Sequence, residues 1–184
     1  MIAIIIIAVL VVVLVLVFIG VNNSMIGARN RCDEAWSGID VQLKRRHDLI
    51  PNLVETVKGY ASHEKGVLEK VTELRSRAMN ATTPGQVAQS EGLLTQALRG
   101  LYAVAESYPD LKANQSFLAL QQSLAETEGM IAGARQGYNA AVRDLNTRIE
   151  SVPTNLFAGA FGFTRREFFE IEDPAERAVP QVRF

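Results

Sequence analysis

One cysteine, two histidines and one tryptophan are spread over 184 residues. A single thiol, Cys32, excludes an intrachain disulfide and any thiol-rich metal cage. It leaves an intermolecular bridge open, although a small residue on a helix is a sufficient role for it. Di-iron helical bundles need inward Glu-x-x-His pairs. Neither His47 nor His63 has a glutamate three residues before it. "HEKGV" at His63 is followed by no second histidine and is not a zinc-protease helix. No nucleophile–base arrangement can be drawn from Cys32, His47 and the acidic residues. Catalytic residues, metal ligands and cofactors are therefore all expected to be absent. Charge of one sign is lacking too: 19 cations meet 20 carboxylates, which argues against a general polyanion binder.

Polar side chains are missing from the first 21 residues, "MIAIIIIAVLVVVLVLVFIGV", and the first charged residue is Arg29. A helix rising about 1.5 Å per residue needs ~20 residues to cross a hydrocarbon layer of ~30 Å. Seventeen of the 21 are Ile, Val, Leu or Phe. At about −0.3 to −0.6 kcal/mol each, insertion is favourable by roughly 5–10 kcal/mol. Many are β-branched, but in lipid the backbone must satisfy itself, and a helix is the only single-segment solution. A cleaved signal peptide would show a cationic start, a shorter apolar core and a small-residue cleavage site. This run has none of those, so a retained anchor is expected. Arg29 and Arg31 follow the run and no Lys or Arg precedes it, which favours the N-terminus outside and the remaining chain in the cytoplasm.

Beyond a short polar stretch, the pattern is helical to about Ser151. Trp36, Ile39, Leu43, Ile50, Leu53, Val57 and Tyr60 recur at spacings of three and four, with Arg46 standing in the one gap. The stripe resumes through Val67, Leu68, Val71 and Leu74 and stops at "NATTPGQ", a turn around Pro84. Val87, Leu94, Leu98, Leu101 and Ala105 form a third stripe, closed by "SYPDL". Phe117, Leu124, Ile131, Tyr138 and Leu145 form a fourth, spaced by seven. Long stripes joined by short turns mean antiparallel neighbours in a bundle. Pro51 admits two readings. At the first turn of a new helix it is harmless; inside a helix it costs roughly 3 kcal/mol. A corner at Pro51 is favoured over a kink, giving segments of about 22, 28, 23 and 39 residues. The expected fold is all-α: an N-terminal transmembrane helix followed by an antiparallel up-and-down four-helix bundle. Its expected divisions are 1–21 span, 22–28 juxtamembrane linker, 29–151 bundle and 152–184 tail.

"KRRH" before Pro51 is the densest basic stretch. A nucleic-acid groove would interleave aromatics on a basic face, and this chain does not. Arg46 lies on the apolar stripe, so it either pairs inside the bundle or carries its head to water. Glu128 and Arg135, beside the fourth stripe, are its candidate companions, with Glu128 as the carboxylate. Ala125, Gly129, Gly133, Gly137 and Ala141 recur at every fourth position, largely off the expected core. Such a strip lets another backbone approach closely and suits self-association or a partner helix; the plainer reading is a tolerated, soft helix. After it, "NLFAGAFGF" is apolar. Leu156, Phe157, Phe161 and Phe163 are expected either at the membrane surface or as a strap over the bundle's open end. The terminal "VPQVRF" has the extended character that suits a sheet edge or a carboxylate nest.

"ARNRCDEAWSGIDVQLKRRHDLIPNLVETVKGYASHEKGVLEKVTELRSRA" resembles the signature region of the LemA family of bacterial membrane proteins. "ALRGLYAVAESYPDLKANQSFLALQQSLAETEG", "ARQGYNAAVRDLNTRIESVPTN" and "LFAGAFGFTRREFFE" are similar to its later blocks, in the same order. The resemblance covers essentially the whole chain after the anchor. It implies an N-terminal membrane helix, a four-helix up-and-down bundle and a bacterial source. It brings no catalytic residue. It implies roles in organising membranes, magnetosome formation among them, and in envelope quality control beside membrane metalloproteases. Cys32 stands where the family usually has an aliphatic residue, and Gly129, Gly133 and Gly137 where bulkier residues are common. The expected function is a single-pass scaffold or adaptor with no intrinsic catalysis. Its expected partners are the lipid bilayer and further copies of itself or a membrane protein, a membrane protease included; nucleic acid is not among them. The alternatives are a membrane-tethered sensor acting through Arg46 or Glu128, whose small-molecule ligand the sequence does not identify, and a metal-dependent hydrolase using Cys32, His47 or His63.

Overall fold

The computed structural model describes residues 1–170. Its elements are α1 (Ile2–Tyr60), α2 (Lys65–Met79), α3 (Pro84–Ala105), the one-turn α4 (Pro109–Lys112), α5 (Gln115–Glu150) and a 3-10 turn, Thr154–Leu156. No strand occurs among the described residues. The terminal "VPQVRF", with its suggested edge-binding role, lies outside them.

The corner expected at Pro51 is absent. α1 runs unbroken through it, and the chain turns instead at residues 61–64, where Glu64 N donates to Ala61 O at 3.1 Å. A proline inside a helix frees the carbonyl four residues earlier. Here that is His47 O, and it accepts a hydrogen bond from Arg75 Nε of α2 at 2.7 Å. The vacated bond is thus replaced from a neighbouring helix, and Pro51 can stay inside α1. Residues 22–28, expected as a linker, are helical as well. Asn22, Asn23 and Gly27 are weak helix formers, but Met25 and Ala28 are buried and extend a stripe to Cys32. Packing outweighs propensity there.

The turn expected around Pro84 is present, and side chains cap the helices that begin after it and at Gln115. Thr83 caps α3, its side chain accepting from Gln86 N, with Pro84 at the first helical position. Asn114 Oδ1 accepts from Phe117 N at 3.0 Å at the start of α5. Asn114 Nδ2 donates to Tyr60 Oη at 2.9 Å, which fixes the end of α1.

The chain forms two compact units, and α1 and α5 contribute to both. One unit holds residues 39–135 together with residues 168–170. In it the second part of α1, α2, α3 and the first part of α5 form the four-helix antiparallel bundle. Ile50, Leu53, Val57, Leu68, Val71, Leu74, Leu94, Leu98, Leu101, Phe117 and Leu124 share one apolar core. The other unit holds Met1–Gly38 and Gln136–Glu167. There α1 and α5 run antiparallel: Trp36 meets Tyr138 with ring centroids 5.2 Å apart, Arg31 pairs with Asp144 at 2.7 Å, and Arg148 donates to Ser24 Oγ.

Candidate functional site

The bundle unit holds a largely buried charge cluster at the edge of its apolar core, one turn from Ile50, Leu94 and Leu124. Arg46 and His47 are adjacent on α1, so their side chains leave the helix about 100° apart and both meet α3. Arg46 Nη1 donates to Glu91 Oε2 at 3.0 Å, and Arg46 Nη2 to Thr95 Oγ1 at 2.8 Å. Arg46 Nη2 also lies 3.1 Å from Glu128 Oε2 on α5. His47 Nε2 is 2.6 Å from Glu91 Oε1. With Arg75 of α2 on the His47 carbonyl, the cluster draws on all four long helices. Glu91 is 2% exposed, while the Glu128 side chain is 48% exposed. The inner carboxylate is therefore Glu91, and Glu128 closes the cluster from the solvent side.

The sequence pointed to Arg46 and Glu128, which the structure brings together, and to Arg135, which it does not. Arg135 is half-buried and makes no ion pair among the described residues. Reading the sequence missed Glu91 and the part played by His47. The signal was available: Glu91 stands four residues after Val87 and three before Leu94, on the third apolar stripe, as Arg46 stands on the first. His47 likewise falls between Leu43 and Ile50 at four and three. Both His47 and Glu91 are buried and bonded to each other, so neither is presented to a substrate from solvent. Cys32 is wholly buried, which withdraws it from an intermolecular bridge. Burial pushes its thiol pKa up, with the Arg166 guanidinium pulling partly the other way.

Ala125, Gly129, Gly133 and Gly137 form an open strip along α5, with Ala141 half-buried at its end. A Cβ placed on Gly129, Gly133 or Gly137 would meet nothing within 4 Å. Packing among the described residues therefore does not require these glycines.

The tail belongs to the unit built from the first part of α1 and the second part of α5. α5 ends at Glu150, the 3-10 turn follows, and the chain then reverses at Gly162, whose φ of 70° is the left-handed region that glycine adopts without strain. Phe163 N closes this reversal on Ala158 O at 2.9 Å. Beyond it the chain returns along α5: Asn146 exchanges two hydrogen bonds with the Arg166 backbone, at 3.0 and 2.9 Å, and Tyr138 Oη donates to Glu167 O at 3.0 Å. At the tip, Phe157 meets Phe18 of α1 edge-on and Phe161 meets it at a tilt, with centroids 5.6 and 4.6 Å away. Phe163 packs edge-on against Phe161 and lies under the Arg29 guanidinium, 5.5 Å from ring centroid to Cζ. The four tail residues thus part company: Phe163 is buried, Phe157 and Phe161 are half-buried, and Leu156 is 71% exposed.

These features define an all-α bundle protein whose first helix is long and apolar enough to cross a membrane. The LemA family profile matches residues 35–184, and the chain belongs to that family. Similar proteins include magnetosome protein MamQ 2 of Paramagnetospirillum magneticum, 29% identical over 165 residues, covering 76% of this chain and 60% of the relative. Protein LemA of Metamycoplasma hominis is 27% identical over 145 residues, covering 77% of this chain and 65% of that protein. Magnetosome protein MamQ of Magnetospirillum gryphiswaldense is 26% identical over 165 residues, covering 76% and 60%. This chain therefore spans about three fifths of the length of the MamQ proteins it matches. The apolar helix and these bacterial relatives are consistent with a bacterial membrane location.

Proposed function

We propose that this protein is a single-pass, non-catalytic scaffold that holds partner proteins, or further copies of itself, at a bacterial membrane. The observation that carries the reading is α1 itself: one unbroken helix, Ile2–Tyr60, supplies both the bilayer-length apolar run and a stripe of the bundle core. The ionic groups inside the bundle are consumed by one another, which suits a structural cluster better than a reaction centre. That relatives are named magnetosome proteins supports a role in organising membrane, and membership of the LemA family supports the same architecture. The open strip at Gly129, Gly133 and Gly137 is the docking surface this reading offers to a partner helix. The bundle is proposed to face the cytoplasm, because Arg29 and Arg31 closely follow the apolar run on the bundle side.

The test is crosslinked co-purification of the full chain from its native membrane, quantified by mass spectrometry. Recovery of one abundant membrane-protein partner, or of a large assembly of the chain alone, is expected. Recovery of the chain as an uncrosslinked monomer would overturn the scaffold reading. Orientation is read separately by labelling S62C with a membrane-impermeant maleimide. Ser62 is exposed in the α1–α2 turn and Cys32 is wholly buried, so background is low. Labelling only after permeabilisation is expected, and labelling of intact cells would reverse the orientation.

A further inference from the structure

We infer that the tail tip, Val152 to Phe161, is a second membrane contact: it inserts its exposed apolar side chains into the bilayer surface beside the α1 span. The inference rests on reading residues 1–21 as that span. From Ser151 to Thr164 the chain carries no ionisable side chain, and neither does α1 before Arg29. The structure sets these two uncharged stretches together through Phe18, Phe157 and Phe161. Phe18 stands three residues inside the apolar run, so the aromatic contact lies about 4–5 Å below its boundary at Val21. An interfacial segment buries its apolar face roughly 5–10 Å into the headgroup–acyl boundary, and the tip falls within that band. At this level Val152 is 77% exposed and Leu156 71% exposed, each on the outside of a turn that water would otherwise cover.

Charge marks the other side of the boundary. Arg148 reaches Ser24, about 4–5 Å beyond Val21 and so within the headgroup layer. Arg165 pairs with Glu150 at 2.9 Å, and Arg166 with Asp33 at 2.6 Å, where the chain leaves and rejoins the uncharged tip. These cations are mostly matched by carboxylates, so the contact is apolar and calls for no anionic lipid. The occupant is the lipid surface of the membrane that α1 crosses, because the patch is continuous with the span through Phe18.

The test is depth-resolved tryptophan quenching with the full chain in phosphatidylcholine vesicles. Trp36, the only tryptophan, is first removed by W36F, and L156W then serves as the reporter, with V152W as a second reporter in case Leu156 tolerates the ring poorly. L10W reports the span and S62W the exposed α1–α2 turn. Lipids brominated near the headgroup end of the acyl chain are expected to quench L156W or V152W several-fold more than S62W, equally well with or without added phosphatidylglycerol. Strong quenching of L10W with both tail reporters as unquenched as S62W would overturn the second contact while leaving the span intact. Absence of quenching at L10W as well would overturn the span reading together with this one.

Discussion

Replacing Glu91 with alanine tests whether the buried cluster is organised around that residue. Glu91 accepts from Arg46 at 3.0 Å and meets His47 at 2.6 Å, at 2% exposure. Its removal leaves Arg46 buried with Thr95 and the half-exposed Glu128, and deprives His47 of its acid. Breaking a buried ion pair by deleting one partner costs about 3–5 kcal/mol. Arg46 keeps one carboxylate, which places E91A near the lower end, about 3 kcal/mol. E128A removes a carboxylate that water already screens, and such pairs contribute about 0–1 kcal/mol. For a chain of this size each kcal/mol moves Tm by roughly 2–4 °C, so E91A is expected to lower Tm by about 6–12 °C and E128A by no more than about 4 °C. The assay is thermal unfolding of the full chain in detergent, followed by far-UV circular dichroism, with E91Q as the isosteric control and an intermediate loss expected for it. Equal losses, or a greater loss for E128A, would refute the assignment of Glu91 as the inner partner.

Three further expectations follow from particular contacts. In the native chain R75A should cost about 1.5–3 kcal/mol by leaving the His47 carbonyl unpaired; in a P51A background the restored N–H takes that carbonyl, and urea unfolding should show less than half the loss. G129A and G133A should each stabilise by about 0.8–1 kcal/mol, because alanine is the better helix former and its Cβ meets nothing; a fall in Tm would show that the open strip is packed against something. Hydrogen bonds from Arg148, and then from Arg31, hold the Asp144 carboxyl below its ordinary range, partly opposed by burial. Its contribution to stability is therefore full above the ordinary carboxylate range and is lost as pH falls through the depressed value, so D144N should flatten the acid limb of the stability–pH curve.

Much of the fold was legible because apolar spacing reports burial directly. Phe117, Leu124, Ile131, Tyr138 and Leu145, seven apart in sequence, are all buried along α5. Pro51 misled because its penalty is local and visible, whereas its remedy, Arg75, lies on another helix and nothing in the sequence links the two. The 22–28 segment misled for a related reason: its weak propensity is local, and the burial of Met25 and Ala28 that overrides it is tertiary. In the charge cluster, Arg46 was found by its place on a stripe, and the same rule applied to the third stripe would have found Glu91. Which carboxylate sits innermost depends on helix rotation, which spacing alone does not fix. The division of the tail, with Phe163 inward and Leu156 outward, follows from the reversal at Gly162 and from the Asn146 clasp on Arg166, contacts that no local pattern announces.

The most direct test of membrane anchoring is alkaline carbonate extraction of bacterial membranes containing the full chain, beside the chain lacking residues 2–21. Retention of the full chain in the pellet, with release of the shortened chain to the supernatant, is the expected result. Release of the full chain would contradict a bilayer-spanning α1 and the scaffold reading built on it.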